Sequence, residues 1–192
     1  MNPILNLLTP EGLALLETTC LRQAVDWQGA GFRFASRAFA SDVHFVDGRG
    51  ASLHGGRYTP KGGPATLYLA VDPVTAVEEV MYYHRRFNVS LTEFKPKLLA
   101  SVAVSVGTCV DFTNAELCSA LSLSAADLLE EWEPYLNRNE LAPTQALGRQ
   151  LFEFGIEALL VPSARHDQGE NIVVFIDNLA STSHAIMLNP DA

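Results

Sequence analysis

The sequence predicts a single α+β domain, a mixed β core flanked by helices, and three observations predict it. The chain has 192 residues of which 48% are apolar, enough for one sizeable core and short of what two domains would need. Helical periodicity and strand-like apolar runs both occur along it. They follow one another without the strict alternation that a parallel α/β sheet requires.

Taken in order, Thr9 and Pro10 read as an N-cap and first-turn proline. Leu13, Leu16, Cys20, Ala24 and Trp27 then recur at helical spacing, which predicts a helix near residues 10–26. Gly31 to Ala35 reads as a strand. Residues 48–71 hold six glycines, Arg49, Arg57 and Lys61 and no acid, a positive loop in an acidic protein that runs into the strand Thr66 to Val71. Asp72 and Pro73 cap a helix to about Phe87, and Leu98 to Val106 alternates as a half-buried strand. Thr113 with Glu116, and Ser124 with Asp127, make capping-box patterns for further helices. Pro143 opens another helix closed by Gly155. Strands at Ala158 to Val161 and Ile172 to Ile176 flank a polar loop with Ser163, Arg165, His166, Asp167 and Gly169, and a last strand covers Ala185 to Leu188.

The formal net charge of -9 disfavours the phosphate contacts that drive nucleic-acid binding, so small-molecule chemistry is the better expectation. Residues 113–142 carry six acids and one arginine, which reads as a solvated face or a partner surface. The three cysteines, Cys20, Cys109 and Cys118, form no Cys-x-x-Cys pair and read as buried thiols in a reducing compartment. Met1 to Leu8 lacks a signal-peptide pattern and no run approaches a membrane span, so a soluble cytoplasmic protein is expected.

Four places could carry chemistry. Gly55-Gly56-Arg57-Tyr58 with Lys61 and Gly62-Gly63 lets backbone N–H groups approach a diphosphate while arginine supplies a planar fork, although such loops are also ordinary turns. Tyr68 follows on a strand, as a stacking ring or a core side chain. On the next helix Val74, Val77, Val80, Met81 and His84 mark the apolar face; Glu79 points nearly opposite and Glu78 lies nearer the boundary, so periodicity does not choose between a cleft and solvent for either acid. Pro162-Ser163-Ala164-Arg165 lies between two apolar strands, where a polar side chain can be held at a sheet edge. The five histidines show no zinc-ligand spacing and Ser163 lacks a Gly-x-Ser-x-Gly elbow, so neither metal nor serine-hydrolase chemistry is expected.

These segments, in this order, resemble the RES domain family, named for Arg, Glu and Ser. The matching residues are Gly55-Gly56-Arg57-Tyr58, Tyr68, Ala76-Val77-Glu78-Glu79, Pro162-Ser163-Ala164-Arg165 and Asn171-Ile172-Val173-Val174, with Phe32-Arg33-Phe34 as the early strand arginine. The family usually has Gly-Gly-Arg-Trp-Asn where Tyr58-Thr59 stand here. The resemblance implies an ADP-ribosyltransferase-like fold, with a helical extension at 1–29, the RES domain at 30–178 holding an acidic helical insertion near 113–142, and a strand and tail at 179–192. It selects Glu79 over Glu78.

It also implies an enzyme that consumes NAD+ by phosphorolysis or hydrolysis as the toxin of a toxin-antitoxin pair, or one that transfers ADP-ribose to a cellular protein. A cognate Xre-type helix-turn-helix antitoxin is the implied partner. Arg57, with Arg33 or Lys61, would hold the diphosphate. Tyr68 would stack on nicotinamide, Glu79 would stabilise positive charge on the ribose, and Ser163 would orient the ribose or the amide. Tyr58 and Asn171 complete the implied binding set. A non-catalytic nucleotide- or partner-binding module, using the acidic helices as its surface, is the reading from a different class.

Overall fold

The computed structural model describes residues 2–36, 45–87 and 97–188. Two N-terminal helices, α1 (Ile4–Leu7) and α2 (Pro10–Gln23), precede the long strand β1 (Val25–Ser36). A short helix α3 (Arg49–His54) lies inside the glycine-rich stretch, which then enters β2 (Thr66–Ala70) and helix α4 (Pro73–Phe87). Strand β3 (Lys97–Asp111) is followed by four helices, α5 (Ala115–Ala120), α6 (Ala125–Leu128), α7 (Glu133–Asn137) and α8 (Pro143–Glu153). Strands β4 (Ala158–Pro162), β5 (Glu170–Phe175) and β6 (His184–Met187) complete the chain.

The sheet order is β1-β2-β5-β4-β3-β6, and β1 also pairs with β3, so five strands close into a barrel while β6 lies along the outer edge of β3. Closure removes the free edges an open sheet would present. Among the described residues only β3 and β4 run parallel, joined by the long crossover through α5–α8; their other pairings are antiparallel. The α+β expectation therefore holds.

Alternation along the strands builds two cores on opposite faces of the same barrel wall. Leu67, Leu69, Leu160, Ile172 and Val174 contribute to one. Leu159, Val161, Val173 and Phe175 face the other, which the helices cover with Ile4, Leu16, Leu117, Leu147 and Leu151. Tyr68 stands opposite Val173 and Asn171 opposite Val161, so these four side chains share the helix-covered face. That register places a polar cluster where this face opens between β2, β5 and α4.

Several local expectations are corrected. Trp27 belongs to β1, because α2 ends at Gln23 with Ala24 already extended. Thr9 does cap α2, its hydroxyl accepting from Gly12 N. Asn114 rather than Thr113 caps α5, since its side chain accepts from Glu116 N and Leu117 N while the Thr113 hydroxyl turns back to Asp111. Asp127 accepts from the backbone N–H and hydroxyl of Ser124, as expected of a box.

The largest inversion concerns α4. The face that meets the barrel carries Thr75, 0% exposed, and Ala76, with Glu79 on its rim, whereas Val74 and Val77 are 58% and 40% exposed. The side chain of His84 lies outside those described. Small residues let the helix lie close to β1 and β2, and close approach takes precedence over covering valines.

Among the described residues no helix is long and apolar enough to cross a membrane. Cys20 and Cys109 are buried and Cys118 half-buried, all as free thiols.

Candidate active site

Glu79 stands where two cavities meet. The first, about 290 Å³, is walled by Gly55, Arg57, Trp132, Arg165 and the strand residues Val161 and Val173. The second, also about 290 Å³, is walled by Phe32, Arg33, Phe34 and Leu69. Tyr68, Glu79 and Asn171 line both, so they form the sill between two lobes of one cleft.

The carboxylate of Glu79 is held from two strands. Ser163 Oγ donates to its Oε1 at 2.6 Å, and Asn171 Nδ2 donates to the same oxygen at 2.9 Å. Ser163 is 6% exposed, and its hydroxyl oxygen accepts from Arg165 N and His166 N, each at 3.2 Å. With its lone pairs taken by two N–H groups, the Ser163 proton is committed to Glu79. The serine is thus a donor that aims a carboxylate. Oε2 of Glu79 has no such tie to Ser163 or Asn171.

Tyr68 is held through its hydroxyl, which accepts from Tyr58 N at 2.9 Å and lies 3.0 Å from Thr59 Oγ1. Burial pushes its phenol up to about 12, so it stays protonated and its ring is a fixed wall of both lobes. Gly56 is required by this contact: a Cβ there would lie 2.8 Å from the Tyr68 hydroxyl. Gln145, buried on α8, donates to Gly56 O at 3.0 Å and ties the glycine turn to the helix layer.

Arginines flank the carboxylate on both sides. In the first lobe Arg57 donates to Glu130 O. Arg165 lies 3.5 Å over the Tyr82 ring and bonds Glu131 at 2.6 Å, with Glu133 at 3.7 Å. Burial opposes the charge of Arg165, but the bond to Glu131 outweighs it and raises its pKa. The same bond holds the Glu131 carboxyl down at about 2, while burial and the neighbouring Glu131 raise that of Glu133. In the second lobe Arg33 donates to Phe45 O at 3.2 Å and lies over the Phe45 ring; burial lowers its pKa.

Of the residues singled out in the sequence, Arg33, Arg57, Tyr68, Glu79, Ser163 and Asn171 converge here. Tyr58 and Lys61 do not present side chains to it. The Tyr58 ring is 1% exposed in the helix-covered core, with its hydroxyl donating to Leu128 O, and Tyr58 borders the first lobe while its N–H supports the Tyr68 hydroxyl. Lys61 lines a separate hollow with Arg149, Phe152 and Glu153. Glu78 pairs with Arg85 on the outer side of α4.

The acidic segment is more than a solvated face. Trp132 walls the first lobe, and Glu130, Glu131 and Glu133 beside it take up its arginines. The sequence offered no signal for this, since the partners lie 34 and 73 residues away.

The RES domain model matches residues 26–188. The chain belongs to the RES domain family. Its fold is similar to that in the crystal structure of the M. tuberculosis MbcT-MbcA toxin-antitoxin complex, with a TM-score of 0.68, 19% identity, and 90% of this chain and 88% of that chain covered. At that identity the likeness speaks for the fold. A search of curated proteins by sequence finds no match. The RES match takes in every converging residue named above, together with Trp132 and Arg165.

Proposed function

We propose that this RES domain protein cleaves the bond between nicotinamide and ribose in NAD+, with phosphate or water as acceptor, and serves as the toxin of a toxin-antitoxin pair. The observation that carries the reading is a carboxylate at the junction of two lobes, aimed by Ser163 and Asn171 and flanked by Arg57, Arg165 and Arg33. A dinucleotide has the matching parts: two rings to occupy two lobes, and a diphosphate for arginine.

The reaction needs little covalent help. The C1′–N bond breaks, its electron pair neutralises the pyridinium, and neutral nicotinamide leaves; C1′ gains an oxygen from the acceptor, whose proton passes to solvent. Glu79 offers negative charge to the ribose as its oxocarbenium character develops, and the two donors on Oε1 hold the carboxylate in place. Tyr68 walls the nicotinamide, and Arg57 with Arg33 holds the diphosphate. Lys61 has no part in this scheme.

The antitoxin is proposed to be an Xre-type helix-turn-helix protein that covers the cleft near Arg57. Support comes from the family and from the similar fold in the MbcT-MbcA toxin-antitoxin complex.

Purified protein incubated with NAD+, with and without phosphate, and followed by mass spectrometry tests the chemistry. Nicotinamide release with ADP-ribose 1″-phosphate only when phosphate is present identifies phosphorolysis, and ADP-ribose in both mixtures identifies hydrolysis. ADP-ribose recovered on an added protein would make the chain a transferase instead. NAD+ intact in every mixture refutes the reading. In cells, the wild type should arrest growth and Glu79→Ala and Arg57→Ala should not; equal arrest by all three would place toxicity outside this site.

A further inference from the structure

A second hydrogen-bonded chain lies behind Ser163, and the reaction as proposed does not use it. Thr75 sits in the first turn of α4, 0% exposed. Its hydroxyl is 2.5 Å from Asp72 Oδ2 and 2.7 Å from His166 Nδ1, and its N–H donates to Asp72 Oδ1 at 2.9 Å. His166 belongs to the loop between β4 and β5 that carries Ser163. That loop is closed by Ser163 N to Gly169 O at 2.7 Å and Gly169 N to His166 O at 3.0 Å.

Proton counting orients the whole chain. The carboxylate of Asp72 only accepts, and its bonds from Thr75 lower its pKa, which keeps it ionised. A threonine hydroxyl has one proton, and the bond to Asp72, whose carboxylate has none to give, takes it. The Thr75 oxygen then accepts from His166, so Nδ1 of His166 carries hydrogen. The order is His166 Nδ1–H to Thr75 Oγ–H to Asp72. Protonation of the imidazole adds hydrogen at Nε2 and leaves the Nδ1 bond intact. Gly169 makes room for the joint, since a Cβ there would lie 2.5 Å from Thr75 Oγ1 and 2.7 Å from His166 Nδ1.

We infer that Asp72, Thr75 and His166 are positioning residues, which lock the Ser163 loop to the first turn of α4 and so fix the distance between Ser163 and Glu79 on the same helix. Glu79 follows Thr75 by four residues, one turn further along the face that meets the barrel. The brace and the reacting carboxylate are thus successive rungs of one helix. The loop reaches both rungs: His166 bonds the first through its ring, and Ser163 the second through its hydroxyl, while His166 N also supports the Ser163 oxygen. Releasing the ring frees the loop to carry Ser163 away from Glu79, and neither Thr75 nor His166 lines either lobe.

The inference rests on Glu79 being the reacting carboxylate, and its test has one readout that does not need catalysis. Nitrogen NMR of the histidine ring in the full chain reports the tautomer of His166. The expected result is a protonated Nδ1, lost in Thr75→Val and kept in Thr75→Ser; a ring protonated at Nε2 alone overturns the brace. In NAD+ turnover Thr75→Val should lower kcat by roughly tenfold or more with KM nearly unchanged, since one aimed hydrogen bond is at stake. Thr75→Ser, and His166→Asn, whose amide nitrogen falls near Nδ1, should recover most of the rate, whereas His166→Leu should not. A fall in thermal stability with wild-type kcat in the folded protein would make the brace merely structural and refute the positioning role. Should wild-type protein leave NAD+ intact while the NMR result holds, the proposed reaction fails and the brace stands.

Discussion

Replacing Asn171 by aspartate exchanges a donor for a second carboxylate without changing side-chain volume. Asn171 Nδ2 lies 2.9 Å from Glu79 Oε1, so in Asn171→Asp two oxygens of like charge meet at hydrogen-bond distance. Taking the charge centres as about 4 Å apart in a medium of effective dielectric about 20, the repulsion is about 4 kcal/mol. The cleft is open to solvent, and screening reduces this to about 2 kcal/mol, which raises the pKa of one carboxyl of the variant pair. The sign follows from linkage. A carboxyl raised above its unfolded value is favoured neutral by the fold, so the penalty is absent below the unfolded pKa and grows as pH rises through the folded one. Thermal unfolding of the variant should therefore match the wild type near about pH 4 and fall roughly 5 °C behind by about pH 8. The pH profile of NAD+ cleavage should move in the same direction, because the variant pair keeps a proton that neutralises charge needed at the ribose. A stability gap that stays flat between these pH values would refute the contact between Asn171 and Glu79.

Other expectations follow from single contacts. Glu157, 3% exposed, accepts from Gly107 N, Thr108 N, Thr108 Oγ1 and Ala180 N. Burial opposes its ionisation, but bonds from Ala180, Ser183, Thr108 and Gly107 outweigh it and hold the carboxyl below the ordinary range. Its stabilisation is complete above the unfolded pKa and is lost as pH falls through the folded one, so Glu157→Gln should cost about 2 kcal/mol in denaturant unfolding at neutral pH and flatten the acid limb of stability. Gly148→Ala places a Cβ 2.0 Å from Tyr58 O and should destabilise by about 3 kcal/mol in the same assay, because helix α8 has no room to retreat from the glycine turn. Trp132→Ala removes the aromatic wall of the first lobe and should raise KM for NAD+ by roughly tenfold with little change in kcat. Lys61→Ala should leave NAD+ cleavage unchanged, since Lys61 lines a different hollow; a large rise in KM would return it to the diphosphate.

Helix and strand order was readable because it rests on local signals. Thr9-Pro10, Asp72-Pro73 and Pro143 mark helix starts through groups a few residues apart, alternation marks β3, and apolar runs mark β4 and β5. The same local logic misled where tertiary contact outweighs it. On α4 the valines looked like the buried face, yet Thr75 and Ala76 allow the closer approach to the barrel, and this turns Glu79 inward. Arg57 and Tyr68 were legible as a loop arginine and a strand tyrosine. Neither Trp132 nor Glu131 was, because their partners are distant in the chain.

Taken alone, the amino-acid order determined the mixed composition of elements, the glycine turn around Arg57 and the membership residues from Arg33 to Asn171, all properties carried by short stretches of chain. The closed barrel, the setting of Glu79 at the junction of two lobes, the turning of Tyr58 into the core and the assignment of Lys61 to another hollow were decided only when β1 met β2 and β3. The physical reason is that a side chain's direction depends on which distant surface its own element is pressed against, and that surface is created by pairing across the chain.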